Sequence, residues 1–188
     1  LIGVTGTNGK TTIVSLLYHL FLGMKKKIGM LSTIHNKINK ETIESTHTTG
    51  DALQINQLLS QMISEGCEYC FMEVSSHAID QDRVESIVFD IMIFTNISHE
   101  HLDYHSTLNE YINVKKKVFD NLKSDAIALV NNDDKYGMDM IRDTNAKKQT
   151  FSLKSMSDFK CKILENRFDG MLLNINNYDL WTKLIGKF

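Results

Sequence analysis

The residues Leu1-Ile-Gly-Val-Thr-Gly-Thr-Asn-Gly-Lys-Thr-Thr12 open this chain of 188 residues with a short apolar strand, a glycine-rich turn and the start of a helix. Glycine lets the backbone approach an anion closely, and the N–H groups of such a turn and of the following helix N-terminus bind phosphate oxygens. Lys10 adds a positive charge for the β- and γ-phosphates, and the hydroxyl of Thr11 can ligate Mg²⁺. The stretch therefore predicts a phosphate-binding loop for ATP.

This stretch departs at one position from the general pattern G-x-x-x-x-G-K-[ST]. Val4 stands where the first glycine is expected, with Gly3 and Gly6 on either side of it. The core Gly-Lys-Thr and the order of strand, loop and helix are retained. A glycine-rich turn with an exposed lysine is the weaker interpretation. The predicted ATP-binding residues are Gly6, Thr7, Asn8, Gly9, Lys10, Thr11 and Thr12.

Beyond the loop, strand and helix patterns alternate along the chain. Strands are predicted near 1–5, 27–32, 69–74, 87–96 and 126–130, and helices near 10–22, 51–64, 107–122 and 135–143. Such alternation indicates a parallel sheet covered by helices on both sides. We therefore predict an α/β fold with a mostly parallel sheet flanked by helices over residues 1–148.

The pattern changes in residues 149–188. Short strands are predicted near 149–153, 160–166, 170–176 and 180–184, and Asp169-Gly170 is typical of a hairpin turn. We expect this region to form a small antiparallel β subregion of the same domain.

Composition excludes several classes of protein. Hydrophobic residues make up 42% of the chain, charged residues 23%, and the net charge is −2, so there is no basic excess for nucleic acid. Without an apolar run of about 18 residues or a signal peptide, we expect no membrane insertion. Cys67, Cys70 and Cys161 are expected to be reduced structural residues of a cytoplasmic protein. Because Leu1 opens directly into a strand, we expect the chain to be part of a longer protein.

Polar side chains follow two of the predicted strands. One group is Glu73-Val-Ser-Ser-His77, and the other extends from Thr95 to His105. In open parallel sheets, ligands bind outside the carboxyl ends of the strands, so we expect the loop after the first strand to lie beside both groups. Glu73 is therefore predicted to be a carboxylate for Mg²⁺ or for a second metal site, and the alternative is an exposed charge at the end of a strand.

The histidines of the second group suggest a rival interpretation. His99-x-His101-x-Asp103-x-His105 approaches the H-x-H-x-D-H pattern of binuclear zinc hydrolases. That pattern needs a histidine directly after the aspartate, where this chain has Tyr104. A zinc hydrolase would also leave the phosphate-binding loop unexplained, so we disfavour it.

Lys115 is the most informative single residue of the sequence. It falls on the apolar stripe of the helix that begins at Thr107, whereas Lys116 and Lys117 fall off that stripe. A buried lysine must lose its charge, bind an anion or be modified. A neutral amine can take up CO₂ to form a carbamate, which is an oxygen ligand for Mg²⁺, and we advance this as a hypothesis.

Together these segments resemble the Mur ligase family. The resemblance rests on residues 1–12, on Glu73-Val-Ser-Ser-His-Ala78, and on His101-Leu-Asp-Tyr-His105 followed by Glu110-Tyr111 and Lys115. It covers nearly the whole chain in order and is densest from 73 to 119. The loop alone would also fit a folylpolyglutamate synthase or a cyanophycin synthetase.

The resemblance implies roles for particular residues. Lys115 corresponds to a carbamylated lysine, Thr11 and Glu73 to Mg²⁺ positions, and His101 to a histidine of a second metal site. The implied catalytic residues are Lys10, Glu73, His101 and Lys115, and the implied contacts to a UDP-muramoyl-dipeptide are Thr48, Thr49, Ser75, Gln81 and Arg83.

The resemblance also implies a reaction. An ATP-dependent ligase would add a diamino acid, L-lysine or meso-diaminopimelate, to UDP-N-acetylmuramoyl-L-alanyl-D-glutamate through an acyl phosphate, using two Mg²⁺ ions. The alternatives are another ligase of the family, of folylpolyglutamate or cyanophycin type, and a non-catalytic nucleotide-binding module. We expect a monomeric bacterial enzyme whose N-terminal uridine-binding domain and C-terminal domain lie outside residues 1–188.

Overall fold

A computed structural model of the chain describes residues 1–44, 51–98 and 104–184. Helices and strands alternate through most of this length. The strands are β1 Ile2–Thr5, β2 Ile28–Leu31, β3 His35–Ile38, β4 Glu41–Glu44, β5 Tyr69–Glu73, β6 Ile91–Phe94, β7 Ile127–Asn131, β8 Lys147–Ser152, β9 Phe159–Arg167, β10 Gly170–Ile175 and β11 Tyr178–Thr182. The helices are α1 Lys10–Gly23, α2 Ala52–Ser64, α3 Ser76–Asp80, α4 Leu108–Asp120 and α5 Gly137–Met140.

The described strands form one sheet in the order β11-β10-β9-β8-β7-β6-β1-β5-β2-β3-β4. β1 lies between β5 and β6 and is parallel to both, with Val4 level with Glu73 and Thr5 level with Phe94. β2, β7, β8 and the start of β9 continue the parallel part. The predicted α/β fold with a mostly parallel sheet is confirmed.

Two hydrophobic clusters cover opposite faces of the sheet. Under α1, Val14 and Tyr18 pack against Val4, Ile28 and Phe71. The other cluster includes Met72, Met92 and Phe94 of the strands, with residues of α2, α3 and α4. Because neighbouring residues of a strand point to opposite faces, the fully buried strands β1 and β5 contribute side chains to both clusters.

The C-terminal region differs from the prediction at its first strand. The strand predicted near 149–153 is β8, which is parallel to β7 rather than antiparallel. The segment between β7 and β8 includes α5 and is long enough to return the chain for a parallel pairing. Among the residues of this region that the structure describes, the antiparallel pairings join β9, β10 and β11, and the β9–β10 hairpin turns at Phe168-Asp169 before Gly170. The assignment of residues 1–188 to one domain, with a core over 1–148 and a subregion over 149–188, stays a prediction.

Two other elements differ from expectation. The short helix α3 was not predicted, and α5 is shorter than the helix predicted over 135–143. The backbone around α5 makes turn-type bonds three residues apart, from Gly137 N–H to Asp134 O and from Arg142 N–H to Asp139 O. Residues 35–44 form the antiparallel hairpin β3–β4.

Among the described residues, no helix is long and apolar enough to cross a bilayer.

The helix α4, which carries Lys115, begins with a side-chain cap. The Thr107 hydroxyl accepts the backbone N–H of Glu110 at 3.2 Å, and the Glu110 carboxylate accepts the N–H of Ser106 at 3.0 Å. The first bond satisfies a donor that the first helical turn leaves without a partner, and the second ties the residue before the cap to the same turn. The predicted start of this helix is confirmed.

We expect Thr107→Ala to lower the free energy of unfolding of the chain by about 1 kcal/mol, because the cap is lost. Thr107→Ser keeps the hydroxyl and is expected to stay within about 0.5 kcal/mol of the unchanged chain. Urea unfolding followed by circular dichroism measures both. Equal effects of the two substitutions would show that the hydroxyl does not stabilise α4.

Candidate functional site

The carboxyl ends of β1, β5 and β6 lie side by side at one edge of the sheet. A cavity of about 490 Å³ at this edge is bordered by the end of β5 and by the segments that follow β1 and β2. Most of the residues predicted from the sequence line it. They are Thr7, Asn8, Gly9, Lys10, Thr11, Glu73, Ser75, Arg83 and Lys115. Thr33, Ser76, His77 and Tyr111 line it as well.

The loop after β1 is anchored to the end of β6. Asn96 accepts the N–H of Asn8 at 3.0 Å through its side-chain oxygen and donates its amide to Asn8 O at 3.1 Å. Thr95 donates its hydroxyl to the same carbonyl at 2.7 Å, and the N–H of Thr7 donates to Asn96 O at 2.8 Å. The loop is thus held to the end of β6 through backbone and side-chain groups.

Gly6 allows this close approach of the loop to β6. A Cβ atom there would lie 2.0 Å from the Thr95 hydroxyl oxygen and 3.0 Å from Asn96 N. Its φ of +143° is also unfavourable for other residues. Val4, at the position where the general pattern has glycine, is fully buried under α1. The close contact that needs a glycine therefore falls at Gly6.

Lys10 lies over the loop at the first turn of α1. Its ammonium donates to the carbonyls of Gly6 and Thr7, both at 2.9 Å. These bonds keep the positive charge beside the backbone that is predicted to bind phosphate. Thr12, one residue beyond Thr11 in the first turn of α1, is exposed.

Glu73 is a buried carboxylate at the end of β5, with 1% of its surface exposed. Its Oε2 accepts the hydroxyl of Thr11 at 3.0 Å. Its Oε1 accepts the hydroxyl of Thr33 at 2.8 Å and the backbone N–H of Thr33 at 2.9 Å. The exposed-charge alternative for Glu73 is therefore wrong, and the two oxygen groups predicted for Mg²⁺ are in direct contact.

The amine of Lys115 is buried beside the same loop, with 1% of the residue exposed. It donates to Gly6 O at 3.2 Å and to the hydroxyl of Thr5 at 3.4 Å. It also lies 4.7 Å from the centre of the Tyr111 ring. Burial holds the pKa of Lys115 well below the usual 10.5, and the positive charge of Lys10 lowers this pKa further. The predicted burial of this lysine is confirmed.

Three of the five residues predicted to contact a muramoyl substrate, Ser75, Gln81 and Arg83, lie at α3 and just after it. Ser75 caps α3 by accepting the N–H of Ala78 at 3.1 Å. Arg83 lines the cavity and donates its Nε to the side-chain oxygen of Gln81 at 3.0 Å. Gln81 in turn donates to the Tyr104 hydroxyl at 3.1 Å. Ser75, Gln81 and Arg83 therefore lie close together beside the cavity.

Three predicted residues lie outside the described ones: Thr48, Thr49 and His101. The same holds for most of the histidine pattern considered for zinc. In the part of the chain that the structure describes, no three His, Cys, Asp or Glu side chains are placed to hold a metal ion together. His105 is buried between other rings, with ring centres 5.2 Å from Tyr111 and 6.0 Å from His77.

Sequence reasoning missed two parts of the site. Thr33 follows β2, and the parallel register of Leu31 with Met72 places it beside Glu73. Tyr111 was given no role in the site, yet its hydroxyl lies 3.2 Å from the Thr7 hydroxyl. A polar residue directly after a neighbouring parallel strand is the signal that could have identified Thr33.

The fold and the anchored loop define an α/β domain with a phosphate-binding loop. Residues 4–188 match the family described as the Mur ligase middle domain, and the chain belongs to the Mur ligase family.

Similar proteins agree with this assignment. The UDP-N-acetylmuramoyl-L-alanyl-D-glutamate–2,6-diaminopimelate ligase of Phocaeicola vulgatus is 51% identical over the whole of this chain, and that of Parabacteroides distasonis is 50% identical. A solved structure of a ligase with this name has a TM-score of 0.84 at 30% identity, covering 96% of this chain and 38% of its own. The MurF ligase of Thermotoga maritima in complex with ADP shares the fold, with a TM-score of 0.73 at 20% identity, and the match covers 100% of this chain and 40% of its own.

This chain spans 39% of the length of those two curated relatives.

The depressed pKa of Lys115 predicts how stability depends on pH. Between the folded pKa and about 10.4 in the unfolded chain, the unfolded state binds more protons, so Lys115 makes the free energy of unfolding rise with pH. Lys115→Met removes this dependence. We expect the Lys115→Met variant to have a higher free energy of unfolding than the unchanged chain at pH 7. This difference should shrink between pH 7 and pH 10, by at most about 1.4 kcal/mol per pH unit.

Urea unfolding in CO₂-free buffer at several pH values measures this difference. Lys117→Met is the control because Lys117 is exposed on the same helix. Parallel stability curves for Lys115→Met and the unchanged chain would contradict the assignment of a neutral, buried amine.

Proposed function

We propose that this chain is the nucleotide-binding middle domain of an ATP-dependent ligase that joins a diamino acid to UDP-N-acetylmuramoyl-L-alanyl-D-glutamate. The carrying observation is the cluster at the phosphate-binding loop, where Glu73 contacts Thr11 and the buried amine of Lys115 contacts Gly6. The curated relatives are named as ligases for 2,6-diaminopimelate, and we propose this as the amino acid.

The proposed reaction forms one amide bond at the expense of one phosphoanhydride bond. The D-glutamyl γ-carboxylate attacks the γ-phosphorus of ATP, which gives an acyl phosphate and ADP. The amine of the diamino acid then attacks the acyl carbon, phosphate leaves, and the amine loses a proton. Such chemistry depends mainly on positioning and on stabilising negative charge.

The loop residues supply part of that stabilisation. The backbone N–H groups at the start of α1 and the ammonium of Lys10 are proposed to bind the ATP phosphates. The bonds from Lys10 to the Gly6 and Thr7 carbonyls hold its charge at the loop. The hydrogen bonds from Asn96 and Thr95 are proposed to hold the loop in place around the phosphates.

The donor set at the loop fits a magnesium ion. Thr11 and Glu73 offer a hydroxyl and a carboxylate in contact at 3.0 Å, and hard oxygen ligands of this kind are those that Mg²⁺ prefers. Bound there with ATP, Mg²⁺ would neutralise charge on the phosphates during transfer. For a second metal site we propose His101 and Lys115, the latter as its carbamate.

The environment of Lys115 supports carbamate formation. A carbamate forms when a neutral amine adds to CO₂ and loses a proton, so an amine with a depressed pKa is available near neutral pH. Desolvation, the main cause of the depressed pKa, also makes an unmodified ammonium unfavourable at this position. A non-catalytic nucleotide-binding module would have no use for such a lysine.

The substrate is proposed to bind at α3 and the adjoining segment. Arg83 suits a carboxylate or phosphate because its planar group can donate two parallel hydrogen bonds. We propose Thr48, Thr49, Ser75, Gln81 and Arg83 as the contacts to the UDP-muramoyl-dipeptide. We also propose that the enzyme is a cytoplasmic monomer, and that its uridine and amino-acid sites involve parts outside residues 1–188, which alone would show no turnover.

ADP release by the intact ligase tests this proposal. We expect release to require UDP-N-acetylmuramoyl-L-alanyl-D-glutamate together with 2,6-diaminopimelate, and to be lower with L-lysine. Lys115→Ala should reduce kcat by at least about 100-fold, the scale of losing an electrostatic group at the reacting phosphate. Lys117→Ala on the same helix is the matched control and should retain full activity.

Short carboxylic acids that restore activity to Lys115→Ala would support the carbamate, because they can replace its oxygens. Unchanged tripeptide synthesis by Lys115→Ala, with or without these acids, would refute the proposed role of Lys115. ADP release at the same rate with and without the two substrates would refute the proposed ligase activity.

A further inference from the structure

We propose that Thr33 is a positioning residue that holds the carboxylate of Glu73 for divalent-cation binding at the nucleotide site. This inference rests on the proposed function, since it concerns the cation that accompanies ATP. Its basis is the pair of bonds that Thr33 donates to one oxygen of Glu73, from its hydroxyl at 2.8 Å and its backbone N–H at 2.9 Å.

The sheet brings Thr33 to this position. In the parallel pairing of β2 with β5, Leu31 is level with Met72, so the residues that follow each strand run side by side. Thr33 therefore reaches Glu73 from the strand next to β5, whereas Thr11 reaches it from α1. The two threonines hold different oxygens of one carboxylate, Thr33 at Oε1 and Thr11 at Oε2.

Counting protons separates the roles of the two threonines. Each hydroxyl carries one proton, and both donate it to Glu73. The two hydroxyl oxygens are 3.1 Å apart, but they share no proton when both donate in this way. If Thr11 turns toward a cation, Thr33 still holds Oε1 through two donors. Thr33 would thus keep Glu73 oriented in the state that binds the cation.

The side chain of Thr33 is exposed, in contrast to the buried Glu73 that it binds. Its hydroxyl can therefore be removed without opening a cavity in the core, and the backbone N–H remains. The effect of the hydroxyl on cation binding can therefore be measured without a large change in the stability of the fold.

The test uses the intact ligase and measures binding of fluorescent ADP as Mg²⁺ is titrated, with no turnover. In Thr33→Val we expect the Mg²⁺ concentration for half-maximal binding to rise about tenfold, the effect of one lost bond to a charged group. Thr33→Ser should match the unchanged enzyme. Thr42→Val, at an exposed threonine of β4, is the control and should also match it.

ADP binding without Mg²⁺ and the thermal unfolding midpoint are measured in parallel. Both should be unchanged in Thr33→Val, because only the hold on Glu73 is altered. An unchanged Mg²⁺ midpoint, an equal loss of ADP affinity without Mg²⁺, or a failure of Thr33→Ser to match the unchanged enzyme would each overturn the proposal. If Thr33→Val does not fold, Thr33→Ala is measured against the same criteria.

The two proposals fail separately. An enzyme that binds ADP with the shifted Mg²⁺ midpoint in Thr33→Val, but releases no ADP with the muramoyl substrate, would refute the ligase and retain the role of Thr33. Full ligase activity of the unchanged enzyme, together with an unshifted Mg²⁺ midpoint in Thr33→Val, would retain the ligase and refute the role of Thr33.

Discussion

The parallel pairing of β1 with β5 and β6 is the constraint on which the site depends. It places the ends of three strands side by side, so that the loop after Thr5, the carboxylate of Glu73 and the polar pair Thr95-Asn96 meet at one edge. A shift of one residue in the β1–β5 pairing would turn Glu73 toward the opposite face of the sheet. The burial of β1 and β5 on both faces opposes such a shift, because each strand packs into two cores.

The burial of Lys115 shows how stability and function are balanced in this domain. An amine that is taken out of water among apolar side chains lowers the stability of the fold when no anion compensates it. Its partners are neutral oxygens of Thr5 and Gly6 and the face of Tyr111. These groups fix its position beside the phosphate-binding loop. A buried amine that would be costly in a purely structural core is therefore understandable next to the proposed ATP site.

Local patterns predicted the parts of the site that depend on neighbours in sequence. The loop between strand and helix, the cap at Thr107 and the position of Lys115 on the buried stripe of α4 all follow from spacing along the chain. The contact of Thr33 with Glu73 and that of Tyr111 with Thr7 could not be found this way, because each joins residues far apart in sequence. Thr33 meets Glu73 across 40 positions, and Tyr111 meets Thr7 across 104. The direction of β8 was predicted wrongly for the same reason. Whether a strand pairs in parallel depends on how the connecting segment brings the chain back to the sheet.

The sequence by itself determined the phosphate-binding loop, the α/β class and the identity of the ionisable residues of the site, Lys10, Glu73 and Lys115. Glycine flexibility, helical spacing and capping are local properties, and each is encoded within a few residues. The tertiary structure decided which of these residues touch, and with which atoms. It placed the two oxygens of Glu73 between Thr11 and Thr33, and it placed the amine of Lys115 against Gly6. Such contacts depend on strand register and on packing of both sheet faces, which are properties of the whole chain.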